Sequence, residues 1–334
     1  MCPNAIEVKD LTKRFESLVA VDQITFDVHE GEIFGFLGPN GAGKTTTINM
    51  LTTIIRPTGG SAKVSSCDIN DDPRGVRRVI GLVPQEYTAD EDLTGMENIL
   101  LTAELYAVPR ADAKERAKEL LALVQLSDAA NRNVETYSGG MRRRLELACG
   151  LINRPKVLFL DEPTLGLDVQ TRTAVWQYIR LLKEKYKMTL FMTTHYLEEA
   201  DHLCDRIAII DRGRIVALDT PANLKASLGG DIIEMKVDGG DCEGLVETIR
   251  TIPTVRDVKT SSGGCRLKVV NGEETAPQVL EILRNRGMKV SRLSIASPTL
   301  DEVYLDRTGR TLREEESSRD NVMRQRFTVR RARQ

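Results

Sequence analysis

The sequence predicts an α/β fold: a mainly parallel sheet, an antiparallel β subdomain before it, a helical insert within it and a small α+β domain after it. Three observations predict this. First, Gly38-Pro39-Asn40-Gly41-Ala42-Gly43-Lys44-Thr45 matches G-x-x-x-x-G-K-[ST], between the apolar run Ile33-Phe34-Gly35-Phe36-Leu37 and a helix start at Thr45-Thr46-Thr47. The glycines let backbone N–H groups curl around phosphate oxygens, and the helix N-terminus adds about half a positive charge. Second, the continuous apolar runs at 79–83, 157–160, 190–193 and 207–210 read as strands buried on both faces, with helices between them. Third, beyond Gly229-Gly230 the pattern becomes strand, helix, strand, strand, helix, strand, the order of a ferredoxin-like domain.

In chain order, residues 6–30 alternate apolar and polar positions (Ile6, Val8, Leu11, Val19, Val21, Ile24, Phe26, Val28), as an antiparallel sheet with one buried face requires. Residues 95–153 show no strand signal. Within them, Ala117, Leu120, Leu121 and Val124, and then Leu145, Ala148, Cys149 and Ile152, keep helical spacing. Val175, Ile179 and Leu182 do the same further on. In the C-terminal part the expected strands are 232–237, 255–260, 266–270 and 290–295, with helices at 242–252 and 276–286. From 306 the composition turns charged, which reads as a mobile tail. The expected domains are therefore 1–228, 229–305 and a tail, 306–334.

Composition excludes several classes. In 334 residues with 41% apolar and 29% charged content and a net charge of −2, nothing demands a nucleic-acid or anionic-membrane partner. No run of about 18 apolar residues offers a membrane span. Met1–Glu7 carry no apolar signal region, so the expected side of the membrane is cytoplasmic. The six cysteines are scattered without a C-x-x-C pair, and Cys149 and Cys204 fall on apolar faces as core thiols.

The chemistry-bearing residues cluster at expected strand ends. Lys44 is a cation for the β- and γ-phosphates, Thr45 carries a hydroxyl for Mg²⁺, and Thr46 adds a phosphate contact. Asp161 follows the run 157–160, where a Mg²⁺-binding carboxylate belongs, and Glu162 beside it can polarise water as a general base. His195 ends another strand, where an imidazole either holds a γ-phosphate or serves structure. Gln85 ends a third and offers a neutral amide to Mg²⁺ or water. Ser138-Gly139-Gly140-Met141 opens a helix and forms a second anion cradle; it either serves another molecule's nucleotide or is an N-cap. Arg142, Arg143 and Arg144 point in different directions on one helix, which favours solvated or salt-bridged roles over a nucleic-acid patch.

In this order these motifs resemble the ATP-binding subunit of ABC transporters, over residues 5 to about 225. The resemblance implies a P-loop NTPase (ABC ATPase) core that binds ATP with Mg²⁺. It also implies that Phe15 stacks on adenine, Gly38 to Thr46 form the phosphate loop (Ala42 and Gly43 included) and Gln85 is the Q-loop glutamine. Tyr137-Ser138-Gly139-Gly140-Met141 is then the signature, Val157 to Glu162 the Walker B strand, Leu165-Gly166-Leu167-Asp168 the D-loop and His195 the switch histidine. Tyr137 and Met141 depart from the common L-S-G-G-Q form. Tyr137 to Glu146, with the ending Ser297-Pro298-Thr299-Leu300-Asp301-Glu302-Val303-Tyr304, is similar to the daunorubicin-resistance exporter type. The resemblance implies a head-to-tail dimer in which each signature caps the partner's ATP, a separate transmembrane permease docked near residues 85–110, a peripheral site on the membrane's cytoplasmic face, and no nucleic-acid partner. The alternative is a soluble ABC ATPase acting on ribosomes or DNA, which normally carries two cassettes or a long coiled coil; this chain has one cassette and no heptads.

Overall fold

The computed structural model describes residues 3–238, 244, 246–261 and 264–310. The chain divides into two compact units, the first reaching Asp219 and the second beginning at Thr220.

The first unit opens with the long strands β1 (Asn4–Phe15) and β2 (Leu18–His29), which pair antiparallel as the alternation predicts. After β3 (Ile33–Leu37) and α1 (Lys44–Leu51), β4 (Gly59–Val64) and β5 (Cys67–Asp68) complete a four-stranded sheet ordered β2-β1-β4-β5. Sequence reading missed these last two strands. Gly59-Gly60-Ser61 breaks the apolar alternation, and β5 is too short to show a period.

Next come α2 (Pro73–Val79), β6 (Ile80–Val83), α3 (Gly95–Leu105), α4 (Arg110–Leu123) and α5 (Gly139–Leu151). The expected insert is thus three α-helices, whose apolar faces share a core of Ile99, Ala117, Leu121, Leu145 and Ile152. Then follow β7 (Val157–Asp161), α6 (Val169–Tyr186), β8 (Thr189–Thr194), α7 (Leu197–Leu203), β9 (Arg206–Asp211) and β10 (Arg214–Asp219).

The main sheet runs β10-β9-β3-β8-β7-β6. Its neighbours are parallel throughout, except β10, which returns antiparallel along the edge. The two sheets meet through packed rings: Phe26 of β2 stacks on Phe34 at 5.4 Å and lies tilted 6.0 Å from Phe191, and Phe191 lies tilted 5.5 Å from Phe159. Phe34, Phe159 and Phe191 are fully buried, so truncating one to Ala would cost about 3–5 kcal/mol.

The second unit contains α8 (Pro221–Ser227), β11 (Asp231–Asp238), α9 (Val246–Arg250), β12 (Val255–Ser261), β13 (Gly264–Val269), α10 (Gly272–Asn285), β14 (Lys289–Ala296) and α11 (Leu300–Thr308). The antiparallel order β12-β13-β11-β14 is the ferredoxin-like arrangement expected from the element order. Ile249, Val279 and Leu283 of the helices bury one face of the sheet with Ile233 and Leu267, and the other face carries the exposed Glu234, Lys236, Lys259, Arg266 and Arg292.

The ends differ from expectation. The unit begins one helix earlier than the 228/229 boundary, because α8 packs on α11 within it. It also ends later than 305. Thr299 and Glu302 form a capping box for α11, and Gly309 closes that helix in the left-handed region at φ 77°, so residues 306–308 are helical rather than tail. The start expected for α9 at Cys242 and the remaining tail, 311–334, lie outside the described residues.

Candidate active site

Parallel register assembles the site. Leu37 of β3 pairs with Thr194 of β8, Asp161 of β7 with Thr193, and Val83 of β6 with Leu160. The C-terminal ends of these neighbouring strands therefore line up, and the loops leaving them carry Gly38 to Gly43, His195, Glu162 and Gln85. This is the edge of an open α/β sheet where ligands bind.

The phosphate loop is fitted to an anion. Gly43, at φ 110°, caps α1 without any side-chain hydrogen bond, and the first turn holds no acidic residue. The leading N–H groups of α1 are thus uncapped by side chains and face the loop. A side chain at Gly43 would sit 2.6 Å from Ala20 O and strain the backbone as well. This contact also sets the loop against β2, in the hairpin whose other strand ends at Phe15. Phe15 is 45% exposed, with Lys13 Nζ 5.0 Å from its ring centre.

Lys44 is almost fully buried. Its Nζ donates to Gly38 O (2.7 Å) and Pro39 O (3.2 Å) and lies 3.0 Å from Glu162 Oε1. The other carboxylate oxygen of Glu162 is 2.6 Å from His195 Nδ1. Burial alone would push the Glu162 carboxyl up. The His195 hydrogen bond and the Lys44 charge outweigh it and hold the group below the usual carboxylate range. Asp161 shows the opposite balance: burial pushes its carboxyl up despite hydrogen bonds from Thr193 and Thr45. A buried carboxylate short of positive charge, 3.3 Å from the Thr45 hydroxyl, fits a divalent cation.

Sequence reading missed Thr193. It is fully buried, donates its hydroxyl to Asp161 Oδ1 (2.5 Å), and accepts the Glu162 N–H on both Oγ1 (3.0 Å) and its carbonyl (3.2 Å). That bracing holds Glu162 at φ 51°, a strained value for a residue with a Cβ. A threonine inside an apolar strand gives no sequence signal of such a role.

The structure joins Lys44, Thr45, Asp161, Glu162 and His195 directly. Gln85 is not among them: its side chain is exposed, and its carbonyl is held by Arg143. Ser138 caps a different helix, α5, accepting the Met141 N–H at 3.3 Å, and Gly139 and Gly140 begin that helix. Tyr137, which departs from the usual signature, is buried and donates to Ala129 O at 2.6 Å, so it braces the insert. Cys204 is a core thiol as expected, while Cys149 is half-buried against the core of the insert; burial pushes both thiols up, Cys149 to about 12. Among the described residues no cluster of His, Cys, Asp or Glu resembles a metal-binding group by itself.

A parallel sheet with an uncapped phosphate loop, a buried Lys–Glu–His chain and a second helix-capping Ser-Gly-Gly defines an ATP-hydrolysing cassette of the ABC class. Comparison with known proteins agrees. Residues 21–165 match the ABC transporter family model, and residues 220–308 match that of the "ATP-binding protein DrrA1-3-like, C-terminal domain". The chain is 40% identical over 306 residues to the daunorubicin/doxorubicin resistance ATP-binding protein DrrA of Streptomyces peucetius, covering 91% of this chain and 92% of that protein. It is 34% identical over 311 residues to the linearmycin resistance ATP-binding protein LnrL of Bacillus subtilis, covering 92% of this chain and all of that one (100%). A dimeric ATP-binding cassette solved with ADP and Pi superposes with a TM-score of 0.59 at 27% identity, covering 64% of this chain and 98% of that one. The chain belongs to the DrrA-type ATP-binding subunits of ABC transporters. It binds ATP with Mg²⁺ and hydrolyses it, on an architecture shared with dimeric cassettes.

Proposed function

We propose that this subunit powers export of a drug-like or lipid-like substrate through a separate membrane-spanning permease, from a peripheral position on the cytoplasmic face. The resistance functions named for its relatives support this, as does the absence, among the described residues, of any helix long and apolar enough to cross a membrane.

In this reading two copies close head to tail around two ATP molecules. Phe15 stacks on adenine. The loop from Gly38 to Thr46 cradles the phosphates, while Lys44 and His195 hold the γ-phosphate. Thr45, Asp161 and the Gln85 amide would hold Mg²⁺, which would supply positive charge to the triphosphate. Glu162 takes the proton from the attacking water. Ser138, Gly139 and Gly140 cap the partner's nucleotide, because one triphosphate does not fill two separate helix N-termini. The domain after Asp219 serves assembly or regulation rather than chemistry.

The observation that carries the catalytic reading is the buried Lys44–Glu162–His195 chain, which keeps Glu162 ionised and able to accept a proton. Glu162→Gln tests it. ATP binding should persist, turnover should fall at least about 10²-fold, and an ATP-bound pair should accumulate. Near-normal phosphate release by the variant would remove Glu162 from the role of base.

A further inference from the structure

Three arginines follow the signature, and the proposed chemistry uses none of them. Each does something different. Arg142 pairs with Glu91 and donates to Glu135 O, and Arg144 donates to Val124 O and Gln125 O. Arg143 turns inward. It is 1% exposed and donates to Pro84 O (2.8 Å) and Gln85 O (2.9 Å), with its guanidinium 5.2 Å from the Tyr87 ring centre. One turn later on the same face of α5, Glu146 is 2% exposed and accepts from Thr88 N (2.7 Å), Thr88 Oγ1 (2.9 Å) and Ala89 N (2.8 Å). Tyr87 completes the seam, its hydroxyl donating to Gly139 O at 3.3 Å.

We propose that Arg143 and Glu146 are positioning residues that clamp the Gln85 loop onto the signature helix, so that loop and helix shift as one body. Two opposite charges are buried here, and every bond from them to the loop is charge-assisted, about twice as strong as a neutral one. The loop spanning 84–89 has no helix or strand of its own, so α5 is what holds it. Burial works against the Arg143 charge and pulls the guanidinium below its usual value, with Tyr87, Glu146, Asp161 and Glu199 offsetting part of that cost. The consequence rests on the reading under Proposed function. There, Gln85 serves the subunit's own nucleotide and Ser138–Gly140 the partner's, so the clamp links the two nucleotides of a closed pair through one helix. A push on the Gln85 loop from a docked permease would then reach the partner's ATP without passing through the central sheet.

The test is hydrogen exchange on the full chain in the Glu162→Gln background, with and without ATP, comparing Arg143 and Glu146 with Arg143→Met, Arg143→Lys and Glu146→Gln. With the clamp intact, ATP should change protection of 84–89 and 138–141 together. In Arg143→Met and Glu146→Gln the two responses should separate, with ATP affinity kept within about 3-fold. In the otherwise unaltered chain the same substitutions should lower kcat about 10-fold at nearly constant KM, the pattern of a lost transition-state arrangement. Arg143→Lys keeps the charge but loses the planar fork whose two nitrogens reach Pro84 O and Gln85 O separately, so it should fall between, and it serves where Arg143→Met does not fold. Responses that stay paired in every folded variant, with lowered Tm and normal kcat, would overturn the proposal and leave plain packing. Failure of the shared-site reading shows up separately, as nucleotide trapping at neither site when Ser138→Arg and Lys44→Ala subunits are mixed.

Discussion

At the scale of single residues, two buried glutamates show how environment sets charge. Glu162 sits between Lys44 and His195 and is held ionised. Glu199, fully buried at the start of α7, accepts from Thr164 Oγ1 (2.8 Å) and Trp176 Nε1 (3.0 Å) on one oxygen, while its Oε2 has no hydrogen-bond partner. Burial pushes its carboxyl up, and the charge of Glu162 adds to this, against the hydrogen bonds from Thr164 and Trp176. The sign follows: a folded-state value above the unfolded one, about 4.3, means that stability from this group is full in acid and declines as pH rises toward the folded value. Glu199→Gln removes the charge and keeps the acceptor. The Tm of the variant minus that of the unaltered chain should therefore be smallest near pH 5 and widen toward pH 8. A gap independent of pH would show that Glu199 does not titrate in this range. The site's chemistry was largely legible residue by residue, because Lys44, Thr45, Asp161, Glu162 and His195 each follow an apolar run that marks a buried strand. Thr193 was not, since its role comes only from what faces it across β7 and β8.

At the scale of elements, the two helix N-termini carry the argument. α1 has no side-chain cap, whereas α5 is capped by its own Ser138. If Ser138–Gly140 serve the partner's nucleotide, a Ser138→Arg subunit paired with a Lys44→Ala subunit places both lesions on one shared site and leaves the other whole. Mixing should restore part of the ATPase activity that neither variant has alone, together with nucleotide trapping. Trapping at neither site of the mixed pair would sink the shared-site reading. Element boundaries were read well where the period is long and the caps strong. Helices 110–123, 139–151 and 169–186 carry the spacings noted in the sequence, with Val124 and Ile152 as the C-caps of the first two. The short strands β4, β5 and β10 escaped because each lies at or near a sheet edge, where half-exposed residues carry little pattern. α11 escaped because its apolar stripe, Leu300, Val303 and Tyr304, is only about one turn long, too short to show a period.

At the scale of the whole molecule, every residue placed in the phosphate chemistry, from Phe15 to His195, lies in the unit that reaches Asp219. A chain ending there should fold, bind ATP and hydrolyse it at a basal rate when compared at matched, high protein concentration. It should fail to associate with the permease or to support transport. If the folded truncation bound no ATP, the second domain would belong to the nucleotide site and this division of labour would be wrong. By itself the sequence determined the fold class, the phosphate loop, the acid pair and a histidine at a buried strand's end, and the split βαβ pattern of the C-terminal domain. These are local signals: a glycine where φ must be positive, a carboxylate after a buried strand, a period of two or of 3.6. Only the tertiary structure decided that Thr193 braces both acids, that Lys44 and His195 meet on Glu162, that Arg143 and Glu146 hold the Gln85 loop, and that α8 belongs with the second unit. Each of these is a contact between residues far apart in the chain. A single sequence does not encode which distant partner will satisfy a buried charge, because that is fixed by strand order and helix packing.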